Sequence, residues 1–157
     1  MTQREPTKLE PIVREVRVAA PPEVVFRFFT DPDKMILWHA RSAWLDARRG
    51  GGFRIDVNGR SIAVGEFVEI DPPRRVVFTW GWEGSAELPP GSSRVEITFA
   101  EIGRGETVVR LVHSGISTDV RDENASGWDH YLPRLQMAAA GRPVGPDPWA
   151  NPQDLMP

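Results

Sequence analysis

The side chains best placed to do chemistry are His113, Glu66 and Tyr131. His113 continues the apolar face begun by Val109 and Leu111 in a period-two segment, so a strand there turns its imidazole inward. Near neutral pH such a ring can orient a ligand or shuttle protons; bonded to backbone or to a tryptophan it is a buried neutral base. Glu66 faces the same interior if Val64 and Val68 do, where a carboxylate in an apolar pocket is suited to proton transfer. In the opposite register Phe67 is inside and Glu66 meets water, and both registers are open at this level. Tyr131 sits on a helical stripe and either offers its hydroxyl to a ligand or packs in the core with a wet tip. Asp46 and Asp56 read as surface carboxylates. No Ser or Thr shows a nucleophile elbow or a fixed relation to a histidine, so no nucleophile and base pair is legible. His39, His113 and His130 lack metal-ligand spacing, and no metal or cofactor is expected. The glycines at 50, 51 and 52 lack the Lys-Ser/Thr ending and following helix of a phosphate loop and read as a turn.

The elements that must position these groups are legible from periodicity. Val76, Phe78, Trp80 and Trp82, then Val95, Ile97 and Phe99, then Val109, Leu111 and His113 put bulky residues on one face of three consecutive strands. Thr79, Gly81, Glu96, Thr98 and Arg110 take the other face, which suits an antiparallel sheet covered on one side. Residues 11–19 are a strand, 21–30 a helix opened by Pro21 and Pro22, and 32–38 a second short helix. A weaker strand at 42–47, one ending at the Asn58-Gly59 hairpin turn and one over 61–70 follow. A long helix over about 119–140 carries Trp128, Tyr131, Leu132, Leu135 and Ala139 on its buried stripe. Pro133 inside it predicts a kink near residues 129–130 or two separate halves. Gly141 ends it, and Trp149 in the following segment is expected to anchor on the body or on a neighbouring subunit.

The expected fold class is α+β: a curved antiparallel sheet of about seven strands, two short helices and a long C-terminal helix, in the order β-α-α-β-β-β-β-β-β-α. Residues 1–10 are expected to be a flexible N-terminus, 11–141 a single domain and 142–157 a proline-rich tail. One helix about 10 Å wide cannot by itself seal a twisted sheet, so the space between them is either filled or a pocket. The expected wall comprises Trp38, Phe53, Ile55, Phe78, Trp80, Ile97, Phe99, Leu111, His113, Trp128, Tyr131, Leu132 and Leu135, with Trp44 and Trp82 at its border. An open pocket of this kind would hold on the order of 300 to 1,000 Å³.

Composition narrows the partners. The 157 residues contain no cysteine, which removes disulfides and thiolate chemistry and fits a reducing compartment. The net charge of −3 and the scattered arginines argue against a nucleic-acid binder. No run approaches the length of a membrane helix and the first ten residues are polar, so a cytoplasmic protein with no membrane contact is expected.

Seven motifs in order carry a resemblance: APPEVVF at 20–26, the Asp31-Pro32 segment through Trp38, RRGGGFR at 48–54, GEFVEIDPP at 65–73, VVFTWGW at 76–82, LVHSGI at 111–116 and GWDHYLPRL at 127–135. Together they resemble the helix-grip fold of the START, polyketide cyclase and birch-allergen superfamily, and within it the branch of activator of heat-shock-protein-90 ATPase homologues. The resemblance covers residues 11–140; Pro133 and the proline-rich tail depart from its usual pattern. It implies a hydrophobic molecule held between sheet and helix, with catalysis there in some members. Three functions follow as expectations: binding of a hydrophobic or aromatic small molecule, a cyclase-, aromatase- or hydrolase-like enzyme using the same cavity through His113, Glu66 or Tyr131, and an interaction module for a chaperone or regulator in stress response. A homodimer is a further expected assembly.

Overall fold

A computed structural model describes residues 10–150. Seven strands form one antiparallel sheet: β1 (Ile12–Val18), β2 (Ser42–Leu45), β3 (Gly52–Asp56), β4 (Ile62–Asp71), β5 (Arg75–Trp80), β6 (Ser93–Glu101) and β7 (Thr107–Ser114). Their spatial order is β1-β7-β6-β5-β4-β3-β2, so every neighbour except the β1–β7 pair is also a neighbour in sequence. Helices α1 (Pro22–Thr30) and α2 (Pro32–Met35) bridge β1 to β2, and α3 (Thr118–Ala139) follows β7. This is the α+β helix-grip architecture expected from the sequence.

Local chemistry explains the punctuation. Pro22 opens α1 where an N–H has no intrahelical partner, and Asp31 ends that helix and caps α2 by accepting the Asp33 N–H at 2.9 Å. Between β3 and β4, Asp56 accepts from Gly59 N–H, Asn58 accepts from the Arg60 and Ser61 N–H groups, and Gly59 supplies φ 84°. At Gly65 a Cβ would collide with the Thr79 carbonyl oxygen, so β4 and β5 approach there only because the side chain is absent.

The β4 register resolves the Glu66 and Phe67 alternatives. Phe67 is fully buried and Glu66 is exposed. The ladder to β5 slips between Phe67 and Glu69, a bulge that bends the strand around the core. On β2, Ala43 and Leu45 pack inward, so the alternating Trp44 faces out, 61% exposed, with its ring over Gly52. Trp44 is therefore corrected from the cavity border to the outer surface of an edge strand.

The core is a dense aromatic layer. Phe53 and Phe78 stack at 4.5 Å between centroids, Phe67 meets both edge-on, and Phe99 is flanked by Phe26 and Phe29 of α1. Helix α3 lies across this layer, burying Trp128, Tyr131, Leu132 and Leu135. It is tied to β1 by the Arg14–Asp129 ion pair at 2.6 Å and by Gln136 donating to the Arg17 carbonyl at 2.8 Å. A single helical segment passes through Pro133, so α3 is not two separate halves. Pro133 is exposed and gives the Asp129 carbonyl no N–H. Pro133→Ala restores that donor and is expected to stabilise the fold by about 1 to 3 kcal/mol in urea unfolding; an unchanged or lower midpoint would mean the helix is bent to suit the proline.

Candidate functional site

The site grows from three tryptophans whose rings meet, Trp80, Trp82 and Trp128, with Trp38 packed behind His39. Trp128 on α3 donates its indole N–H to Nδ1 of His113 on β7 at 3.0 Å. An indole nitrogen can only donate, so His113 Nδ1 is the acceptor and the ring proton sits on Nε2. That nitrogen lies 2.8 Å from the Ser93 hydroxyl of β6, which in turn donates to the Trp80 carbonyl of β5 at 2.6 Å. Both ring nitrogens of His113 are thus engaged, and burial lowers its pKa to about 3. It is a neutral structural base here, with no nitrogen left for a ligand or a proton relay.

The other indoles differ in one respect. Trp38 donates to the Phe28 carbonyl at 2.9 Å, and Trp82 to the Asn124 side-chain oxygen at 3.2 Å. Trp80 Nε1 is buried with no hydrogen-bond partner among the described residues. An N–H left in that state costs about 1 to 3 kcal/mol, which a fold tolerates where a ligand or water will later accept from it.

Beside Trp80 lies His39, which follows the short helix α2 and is 4% exposed. Its ring stacks on Trp38 at 4.5 Å and on Trp80 at 5.7 Å, and tilts against Trp128 and Tyr131 at 5.3 and 4.9 Å. Among the described residues no hydrogen bond reaches either ring nitrogen. Burial, opposed weakly by the charge of Asp147, lowers its pKa to about 3, so His39 is a neutral imidazole in an aromatic box. Such a ring can accept a hydroxyl proton or donate to an oxygen.

These rings wall a narrow crevice of about 40 Å³ lined by His39, Val57, Trp80, Trp82, Trp128 and Tyr131 together with Glu123, Asn124 and Gly127 of α3. It shares Val57, Trp82, Glu123, Asn124, Gly127 and Tyr131 with a wider funnel of about 370 Å³ that also takes in Asn58, Ser61, Ser85, Glu87, Leu88, Val120 and Trp149. Gly127 meets nothing where a Cβ would be, so the helix leaves its side of the throat open.

The segment after α3 folds back over this end. Asp147 accepts from the Tyr131 hydroxyl at 2.6 Å, His130 Nε2 at 2.7 Å and the Trp149 N–H at 2.9 Å, and the Trp149 ring stacks on His130 at 3.8 Å. Burial pushes the Asp147 carboxyl up, but the hydrogen bonds from Tyr131, His130 and Trp149 outweigh it and the net shift is downward. Burial and the bond to Asp147 both raise the Tyr131 phenol. Trp149 thus docks on the body of its own chain. Residues 1–9 and 151–157, which carry the expected flexible N-terminus and the end of the tail, lie outside the described residues.

Of the expected wall, Trp80, Trp128 and Tyr131 meet at the crevice. Phe53, Ile55, Phe78, Ile97, Phe99, Leu111, Leu132 and Leu135 are instead packed into the core at 5% exposure or less, because α1 and Phe67 fill the space one helix leaves. Trp38 supports His39 from behind. Glu66 is on the wet face, away from any chemistry in the crevice. His39 is the crevice-lining residue the sequence reading missed; the signal was its place after Trp38 in a segment already expected to border the cavity. Among the described residues no cluster of His, Asp and Glu could hold a metal, and no helix is long and apolar enough to cross a membrane.

Residues 19–140 match the family model of "Activator of Hsp90 ATPase homolog 1-like protein". The chain belongs to this family. A family relative from Rhizobium etli, of solved structure, is 42% identical, with a TM-score of 0.72 over 92% of this chain and 90% of that one. CalU16 from Micromonospora echinospora is 30% identical, with a TM-score of 0.70 over 84% of this chain and 77% of that one. The human activator of 90 kDa heat shock protein ATPase homolog 1 is 29% identical over 111 residues, covering 70% of this chain and 31% of that protein. The chain therefore spans about a third of the length of the curated relatives it matches.

The two buried histidines set an acid limit. Unfolded, each ring takes up a proton near its ordinary pKa of 6.5, and folded, only near about 3. Between those values the unfolded state binds more protons, so stability is full above pH 6.5 and falls as the pH drops toward 3. Each ring contributes a slope of about 1.4 kcal/mol per pH unit well inside that window. His39→Phe is expected to flatten the measured pH dependence of unfolding by about that amount; an unaltered slope would show that His39 is not buried neutral.

Proposed function

We propose that this chain binds a small, planar, largely apolar molecule that enters through the funnel and places a hydroxyl or carbonyl oxygen in the crevice. The observation that carries this reading is the buried Trp80 N–H, which has no partner among the described residues, beside the stacked ring of His39, to whose nitrogens no described residue makes a hydrogen bond. A hydroxyl can accept from the indole and exchange a hydrogen bond with the imidazole, satisfying both groups at once. The apolar walls supply affinity by burial, and the two polar groups supply orientation. The crevice has room for a single head group, so the body of the ligand lies in the funnel against Trp82 and Trp149. Binding is favoured over catalysis because His113 is locked by Trp128 and Ser93 and Glu66 faces outward.

A second reading, contact with a chaperone partner, is supported by the name of the human relative and by Ile36 and Leu37, adjacent after α2 and 45% and 47% exposed. Two neighbouring exposed aliphatic side chains suit a protein contact.

Titration with 2-naphthol and 2-methylnaphthalene, read by tryptophan fluorescence, tests the leading reading. Naphthol is expected to bind about three- to tenfold tighter, the worth of one hydrogen bond. Trp80→Phe should erase most of that preference. Gly127→Leu should block both compounds, while Gly127→Ala keeps the fold at least as stable by about 0.5 to 1 kcal/mol. Absence of binding by either compound to the unaltered protein sinks the proposal. For the second reading, Ile36→Asp with Leu37→Asp should abolish capture of purified heat-shock protein 90; no capture by the unaltered chain removes it.

A further inference from the structure

The funnel is lined by two carboxylates, Glu87, which the crevice lacks, and Glu123, which borders both. Glu87, in the loop between β5 and β6, and Glu123, on the exposed face of α3, line the same cavity from two different elements. Both are exposed, and among the described residues neither has an ion pair or a hydrogen bond. This sets them apart from the many carboxylates paired elsewhere, such as Glu15 with Arg110, Glu83 with Arg54 and Asp129 with Arg14. Among the described residues no arginine or lysine lines the funnel or the crevice. Two unneutralised carboxylates around one concave opening focus a negative potential there, which raises the local concentration of cations.

At the inner end the demand is the opposite. The buried Trp80 N–H needs an acceptor, and none of the described residues supplies one. Trp82 and Trp149 line the same funnel, and indole rings attract both aromatic rings and cationic groups.

Resting on the small-molecule reading above, we infer that the ligand is an aromatic amine of defined polarity: an oxygen acceptor at the inner end, a planar ring in the funnel and an ammonium group at the mouth against Glu87 and Glu123. The site thus discriminates by charge at its entrance and by hydrogen bonding at its floor. Anionic aromatic acids of the same shape are disfavoured, because their carboxylate would meet two like charges with no cation to relieve them.

Three probes sharing one ring separate these claims: 5-hydroxytryptamine, 5-hydroxyindole and 5-hydroxyindole-3-acetate, titrated calorimetrically at ~20 mM and ~300 mM salt. The amine is expected to bind about tenfold tighter than the acid at low salt, with 5-hydroxyindole between them and the gap closing at high salt. Glu87→Gln with Glu123→Gln should weaken the amine by about two- to fivefold at low salt, and leave 5-hydroxyindole unchanged. Both positions are exposed, so folding is preserved, which a thermal melt confirms. Equal binding of amine and acid, or an equal effect of the double variant on all three, overturns the charge selection while leaving the small-molecule site standing. Failure of all three probes to bind overturns both.

Discussion

The rest of the structure depends on one chain of hydrogen bonds, from the Trp128 indole through His113 and Ser93 to the carbonyl of Trp80. It links α3 to β7, β6 and β5 in sequence, each through a single side chain. Because every donor and acceptor along it is used, the chain has one register, and sliding the helix along the sheet would strand at least two buried polar groups. That fixes the Trp128 and Trp80 rings 5.3 Å apart and leaves a slot between helix and sheet in which His39 is held. Packing alone would tolerate more freedom, since apolar surfaces attract without direction.

From that fixed crossing the cavity takes its shape. A helix cannot cover a twisted sheet, and the fold fills most of the remaining space with side chains from α1 and β4. Phe26, Phe29 and Phe67 fill the interior by packing on Phe99, Phe53 and Phe78. Toward the first half of α3 the filling stops, and the gap is bordered by the β3–β4 turn, the β5–β6 loop and the strap that ends at Trp149. Asp147 holds this strap to Tyr131 and His130, so the same residue that anchors the C-terminal segment also orients a phenol on the crevice wall.

Much of the fold was legible before the structure. Period-two alternation at Val76, Phe78 and Trp80 and at Val95, Ile97 and Phe99 assigns the buried face because a pleated strand has no other way to sort its side chains. The same rule failed at Glu66 and Phe67, since a bulge breaks the alternation and both registers bring an apolar residue inward. It also misplaced Trp44 at the cavity border, because size and hydrophobicity draw an indole inward while its neighbours Ala43 and Leu45 occupy that side. Three of the expected wall residues, Trp80, Trp128 and Tyr131, meet in the crevice, while the phenylalanines and aliphatic residues became core.

By itself, then, the sequence determined the elements, their order and the identity of the buried face, because these follow from local periodicity and from where glycine and proline permit turns. Tertiary structure alone decided which polar groups inside that face are spent and which are free. His113 looks like chemistry in the sequence and is consumed by Trp128 and Ser93; His39 looks ordinary and, among the described residues, is held by ring contacts alone beside a Trp80 N–H that has no acceptor. The reason is physical: a hydrogen bond depends on a few ångströms between atoms from distant segments, and nothing in the spacing of residues along one strand or helix encodes that distance.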